Sequence, residues 1–273
     1  MWNCCHNLYF DFMAGRSLGK IEERCHLFIS NMIEFNRNEA ALVSEPMWRL
    51  VLALIGSQDL LSNELSCESH GNQKAIDEVM GTTAQQISPV APYFSRVTLN
   101  MLHAYRREYV VGAELAIKRG NEFLSNLPSQ PMGAWDTFLR GLCLYAAAKE
   151  TGKRRYIRHA KKVRATVEKW YKQGNPNIRH HATLLAAEEL SFQKKFDKAR
   201  QSYESSILAA SRGGFVHDAA IANERYGCYL LNELKDTENA RYHLSVAYRL
   251  YHEWGATGIA NGLHHVDTEI PKE

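Results

Sequence analysis

The chain has 273 residues, of which 45% are hydrophobic and 23% charged, and its net charge is +3. That composition is ordinary for a folded globular chain and excludes one that is mainly disordered. The charge excess is too small to imply nucleic acid or an anionic membrane as the partner.

Six cysteines, at 4, 5, 25, 67, 143 and 228, form no CxxC pair and no dense, even framework, so they read as buried thiols in a reducing compartment. The opening MWNCCHNLYFDFMAGR lacks the basic start and apolar core of a secretory signal, and Asp11 interrupts its apolar stretch. The apolar run from Leu50 to Ile55 is far short of the ~20 residues that span a bilayer. The expectation is a cytoplasmic protein with no membrane partner.

In chain order, the first predicted helix runs from about Ser17 to Asn36. Pro46 either opens a helix through Ile55 or kinks one begun near Asn38. The stretch SQDLLSNELSCESHGNQ, near 57–73, is polar and reads as a loop. Ser88 before Pro89, with Pro92 following, marks a helix entry: the hydroxyl can accept from a free first-turn amide, and proline has none to leave unpaired.

Beyond residue 89, apolar residues recur at three- and four-residue steps. Ala199, Tyr203, Ile207 and Ala210 share one face, as do Ala240, Leu244, Ala247, Tyr248 and Tyr251. No alternating run predicts a strand. Tyr109, Tyr156 and Phe196 are expected to open the second helix of successive pairs, with Gly112, His159 and Ala199 three residues on, and Ala240 follows 41 residues after Ala199. His159 departs from this small-residue row, although Ala160 beside it can serve. A small residue where two helices cross lets their backbones approach closely.

The predicted fold is therefore all-α, an α-solenoid of stacked antiparallel helix pairs, tetratricopeptide-like, in a right-handed superhelix with an extended concave surface. An irregular helical bundle is the alternative. The expected organisation is an N-terminal helical segment over 1–88, helical repeats over 89–257 and a C-terminal tail over 258–273. Apolar helix formers close to Met1 further predict a chain truncated relative to its full protein.

The most specific signal is GGFVHDAAIANERYGCYLL followed by ENARYHLSVAYRLYHEWGA. These residues resemble the helical region of multidomain signalling proteins that join a kinase-like domain and an AAA-type (STAND/Orc1-like) ATPase to a long helical array, often with GAF and histidine-kinase modules. The matching positions are Gly214, Phe215, His217, Ala219, Ala222, Asn223, Glu224, Trp254, Gly255 and Ala256, with Asp218 where the family usually has glutamate. The resemblance implies a piece of a signalling ATPase or kinase. Because no phosphate loop, glycine-rich kinase loop or kinase catalytic sequence occurs, the family's nucleotide chemistry is not expected in this chain. The same residues also have a packing role: Gly213 and Gly214 end a helix, Phe215 plugs the junction, and Trp254 with Gly255 plugs and stops another.

Among the twelve histidines, the adjacent pairs His180–His181 and His264–His265 are the obvious metal candidates. Neighbouring helical residues point about 100° apart, so neither pair is expected to serve one ion. No catalytic, cofactor or metal residue is assigned. The strongest charge feature is the stretch from Lys149 to Arg179, with eleven cations against two anions. Lys153, Arg154, Arg155, Arg158, Lys161, Lys162 and Arg164 form its basic stripe, with Tyr156, Ala160, Val163, Val167 and Trp170 on the buried side of the helix. It reads either as a solvated outer face or as a dock for an acidic protein surface or an adjacent domain, with specific nucleic-acid binding not expected. Function is accordingly expected to be non-catalytic interaction or spacing, the alternatives being a free-standing adaptor and a helical enzyme with an unrecognised site. Oligomeric state is not legible.

Overall fold

The computed structural model describes residues 2–57 and 88–269, with side chains described over 3–57 and 88–263. Helices α1 (Trp2–Met13), α2 (Leu18–Glu34) and α3 (Asn38–Ile55) come first. They are followed by α4 (Ala91–Tyr105), α5 (Tyr109–Arg119), a short α6 (Glu122–Asn126), α7 (Met132–Thr151) and α8 (Arg154–Lys172). The last are α9 (Arg179–Phe192), α10 (Phe196–Gly213), α11 (Val216–Tyr229), α12 (Thr237–Trp254) and α13 (Thr257–Glu269). There is no strand among the described residues. The predicted polar loop lies outside them, apart from its first residue.

Sequential helices pack as antiparallel pairs: α2 with α3, α4 with α5, α7 with α8, α9 with α10, and α11 with α12. The entry to α4 follows local chemistry. Ser88 Oγ accepts from the Ala91 amide at 3.3 Å, and Pro92 occupies the first turn of α4. Pro46 sits within α3, which begins at Asn38 rather than at the proline. The faces predicted for α8, α10 and α12 are the ones that pack, with Tyr156, Ala160, Tyr203, Ala240 and Ala247 at zero exposure.

The repeat has a sharper backbone marker than the one read from the sequence. The turn inside each pair carries one left-handed residue: Asn36, Arg107, Gly152, Lys194 and Lys235, with φ from 53° to 68°. The last four fall at positions 107, 152, 194 and 235, that is 45, 42 and 41 residues apart. The amides of Arg37, Glu108 and Lys195, each just after a left-handed residue, reach back five residues to a carbonyl of the preceding helix, at 2.6, 2.9 and 3.0 Å, which satisfies otherwise orphaned carbonyls.

Counting from these turns shifts one expected equivalence. Tyr156, fully buried, stands near the level of Ala199 and Ala240, while Phe196 is the exposed first residue of α10. At α8 the buried Ala160 is joined by a small residue on the partner: Gly141 of α7 has Leu185 and Val163 within 3.2 Å of where a Cβ would stand. Gly112 lies close to its pair partner, a Cβ there standing 3.3 Å from His103 Cβ of α4, and its tightest approach is to the next pair, 2.7 Å from Cys143 Sγ of α7.

The ends of the chain meet. Helix α13 packs on both α12 and α3, and the Thr257 hydroxyl donates to the Ile55 carbonyl at 2.5 Å. Trp254 Nε1 donates to the Arg16 carbonyl at 3.0 Å. The expected C-terminal tail is thus helical through Glu269, and Ile259, Ala260 and Leu263 are buried, because the apolar residues at 259, 260 and 263 share one face of a helical turn. Helix α1 packs against the pairs through aromatic rings. Phe12 of α1 packs edge-on against Trp135 of α7 and Trp254 of α12, and Tyr105 of α4 lies 5.5 Å from Trp254.

Candidate functional site

Two regions gather chemistry: the outer face of α8, and a buried polar seam between α9 and α11. On α8, Lys153, Arg154, Arg155, Arg158, Lys161 and Lys162 are exposed and Arg164 is half-buried. Part of the stripe is internally neutralised. Arg155 pairs with Glu114, Lys161 reaches Glu189 at 3.8 Å, and Arg164 bridges Glu168 at 3.0 Å and Glu189 at 2.5 Å. Lys153, Arg154, Arg158 and Lys162 have no ion pair with a described carboxylate. At about 100° per residue, Arg154, Arg158 and Lys162 fall within about 80° of arc, one above another. Below them Tyr156, Ala160, Val163 and Val167 are buried, and Trp170 is half-buried.

The residues that carry the family resemblance sit inside. Gly214 takes φ of 74° after α10 and Gly255 takes 95° after α12, both in the left-handed region that closes a helix. Phe215 stacks on His180 at 4.7 Å. Glu224 accepts from Arg107 Nε at 2.8 Å, from the Tyr251 hydroxyl at 2.9 Å and from the Tyr109 hydroxyl at 3.4 Å, and so ties α11 to α12 and to the α4–α5 turn. Asn223 donates to the Ala219 carbonyl at 2.8 Å, and its oxygen lies 2.9 Å from His243 Nδ1.

Next to Glu224 in the chain, Arg225 crosses to Glu188 of α9 with two bonds at 2.8 and 3.1 Å, and Lys149 of α7 reaches the same carboxylate at 2.7 Å. Burial pushes the Glu188 carboxyl up, but Arg225 and Lys149 together outweigh it and hold the group down at about 2. Arg225 also lies over the Tyr109 ring at 4.9 Å. Asp136 is buried with Arg119 and Arg140 in a further cluster.

The seam's centre is Asp218, in the first turn of α11. His180 Nε2 lies 2.8 Å and His181 Nε2 3.1 Å from its Oδ2, while Trp135 Nε1 donates to Oδ1 at 3.2 Å. His217 Nε2 stands 3.6 Å from the same Oδ2. All four residues are buried, His217 completely. His180 and His181 thus meet at one carboxylate oxygen despite the divergent directions expected of neighbouring helical residues, while the side chains of His264 and His265 lie outside the described residues. The carboxylate comes from another helix and lies between the two diverging directions, so each ring reaches it from its own side. Burial pushes His181 down to about 4 and lowers His217 as well. Burial also opposes ionisation of Asp218, yet the surrounding imidazoles hold it well below the usual carboxylate range. The HHATLL and FVHDAA stretches give no spacing rule that brings these groups together; only the pairing of α9 with α11 does.

No family model, curated protein or solved structure matches this chain. No described helix is long and apolar enough to cross a membrane.

Proposed function

We propose that this chain is a non-catalytic interaction and spacer array of tetratricopeptide-like helix pairs, which docks an acidic protein surface or adjacent domain through the outer face of α8. The observation that carries the reading is the row Arg154, Arg158 and Lys162: exposed, stacked on one face, and without a described carboxylate partner. Clustered unpaired cations raise the local potential and steer an oppositely charged partner. The principal buried carboxylates are committed to internal partners: Glu188 to Lys149 and Arg225, Glu224 to Arg107, Asp136 to Arg119. Such commitment favours architecture over turnover. Resemblance to the helical region of signalling ATPases and kinases supports placing the array within a larger regulatory protein.

The test compares capture of partners by the wild-type chain, by an Arg154→Glu/Arg158→Glu/Lys162→Glu variant, and by a control carrying the same charge change at Lys195, Lys198 and Arg212. The stripe variant should lose the partners that the control retains, and wild-type capture should fall as salt rises. Equal capture by all three would remove the proposal. A phosphate-loop ATPase encoded in frame and upstream would support the larger-protein reading.

A further inference from the structure

We propose that His180, His181 and Asp218, joined by His217, form a buried structural Zn2+ site that clamps α9 to α11. Three donor atoms already converge: His180 Nε2, His181 Nε2 and a carboxylate oxygen of Asp218 lie within 4.8 Å of one another. The two nitrogen-to-oxygen edges are 2.8 and 3.1 Å. A tetrahedral ion with bonds of about 2.0–2.1 Å has ligand edges of roughly 3.3 Å, so these two edges need to open only slightly to seat it.

His217 supplies an independent observation. It is 0% exposed, neither ring nitrogen has a hydrogen-bond partner, and its Nε2 points to Asp218 Oδ2 from 3.6 Å. A buried imidazole with nothing to bind is costly, and a fourth coordination position relieves that at Nε2. Charge points the same way. Among the described residues, Asp218 has no lysine or arginine partner, unlike Glu188, Glu224 and Asp136, so its buried negative charge is met only by imidazoles or by a cation among them.

The outer shell holds the donors in place. Trp135 fixes the far oxygen of the carboxylate, Phe138 stacks on His181 at 4.0 Å, Phe215 on His180 at 4.7 Å and Trp254 on His217 at 5.1 Å. Imidazole and carboxylate donors suit Zn2+; three already converge and His217 would have to move in as the fourth, after which the buried site has no open position and its role is structural. The other arrangement with these spacings is a proton shared between the imidazoles and Asp218, with no metal.

The whole chain is denatured and refolded with Zn2+ or with a chelator, and its metal content and Tm are measured. One bound Zn2+ per chain and a Tm that rises with Zn2+ concentration are expected. X-ray absorption of the loaded chain should show nitrogen and oxygen neighbours with an imidazole pattern and no sulfur. Asp218→Asn and His217→Gln should each lose the metal-dependent part of Tm. A folded wild-type chain with no stoichiometric metal and a Tm indifferent to Zn2+ and chelator overturns the site. So does sulfur in the metal's shell, which would point to Cys4, Cys5 and His6, or an Asp218→Asn chain that keeps its Zn2+. If both variants fail to fold, the wild-type metal content and absorption spectrum decide.

Discussion

The outer face of α8 and the seam between α9 and α11 are built from the same kinds of residue and behave in opposite ways. On α8 the cations stand in water, where a pair contributes about 0–1 kcal/mol and a missing partner costs little. In the seam, Glu188 and Arg225 are removed from water and Lys149 is half-buried beside them, and the buried carboxylate and guanidinium are tolerable only because they are paired. The difference teaches that charge in this chain is architectural inside and available for contact outside.

The contrast breaks most clearly at Glu188. Replacing it by leucine strands Arg225 and Lys149 in the interior, and chemical denaturation should show a loss of about 3–5 kcal/mol. Replacing Glu188, Arg225 and Lys149 together by leucine and methionine should recover much of that loss, since no charge is then left unpaired. The same carboxylate sets an acid limit. Its folded value of about 2 lies below its ordinary value of 4.5, so its stabilising contribution is complete above the ordinary value. It is lost as pH falls from there toward the folded value, and the midpoint of denaturant unfolding should decline over that window. In Glu188→Leu the decline should be shallower.

A middle-sized effect tests the stacking of one pair on the next. Gly112→Val places a Cβ 2.7 Å from Cys143 Sγ, and the α5–α7 contact should loosen by about 1–3 kcal/mol in denaturant melts. A smaller effect has the opposite sign. Lys194 is left-handed with φ of 57°, a conformation that glycine adopts without strain, so Lys194→Gly should raise stability by about 0.5–1 kcal/mol in the same assay.

What the sequence made legible follows from what is local. The helical periodicity of α10 and α12, the Ser88–Pro92 entry to α4, and the buried side of α8 each depend on a few neighbouring residues. The turns at Arg107, Lys194 and Lys235 were not legible, because lysine and arginine give no left-handed signal of the kind glycine gives. Nor was the Asp218 cluster, whose members come from two helices and converge only when α9 and α11 pair. The basic stripe was visible as composition. Which of its members are free was not, since Glu114 and Glu189, which neutralise Arg155, Lys161 and Arg164, lie on other helices.

The most direct test is a side-by-side melt of the wild-type chain, Glu188→Leu, and Arg154→Glu/Arg158→Glu/Lys162→Glu. If charge is architectural within and free without, the triple variant melts with the wild type although it reverses three charges, while the single interior change lowers Tm sharply. A triple variant that melts early, or a Glu188→Leu chain that melts with the wild type, would contradict the division on which the account stands.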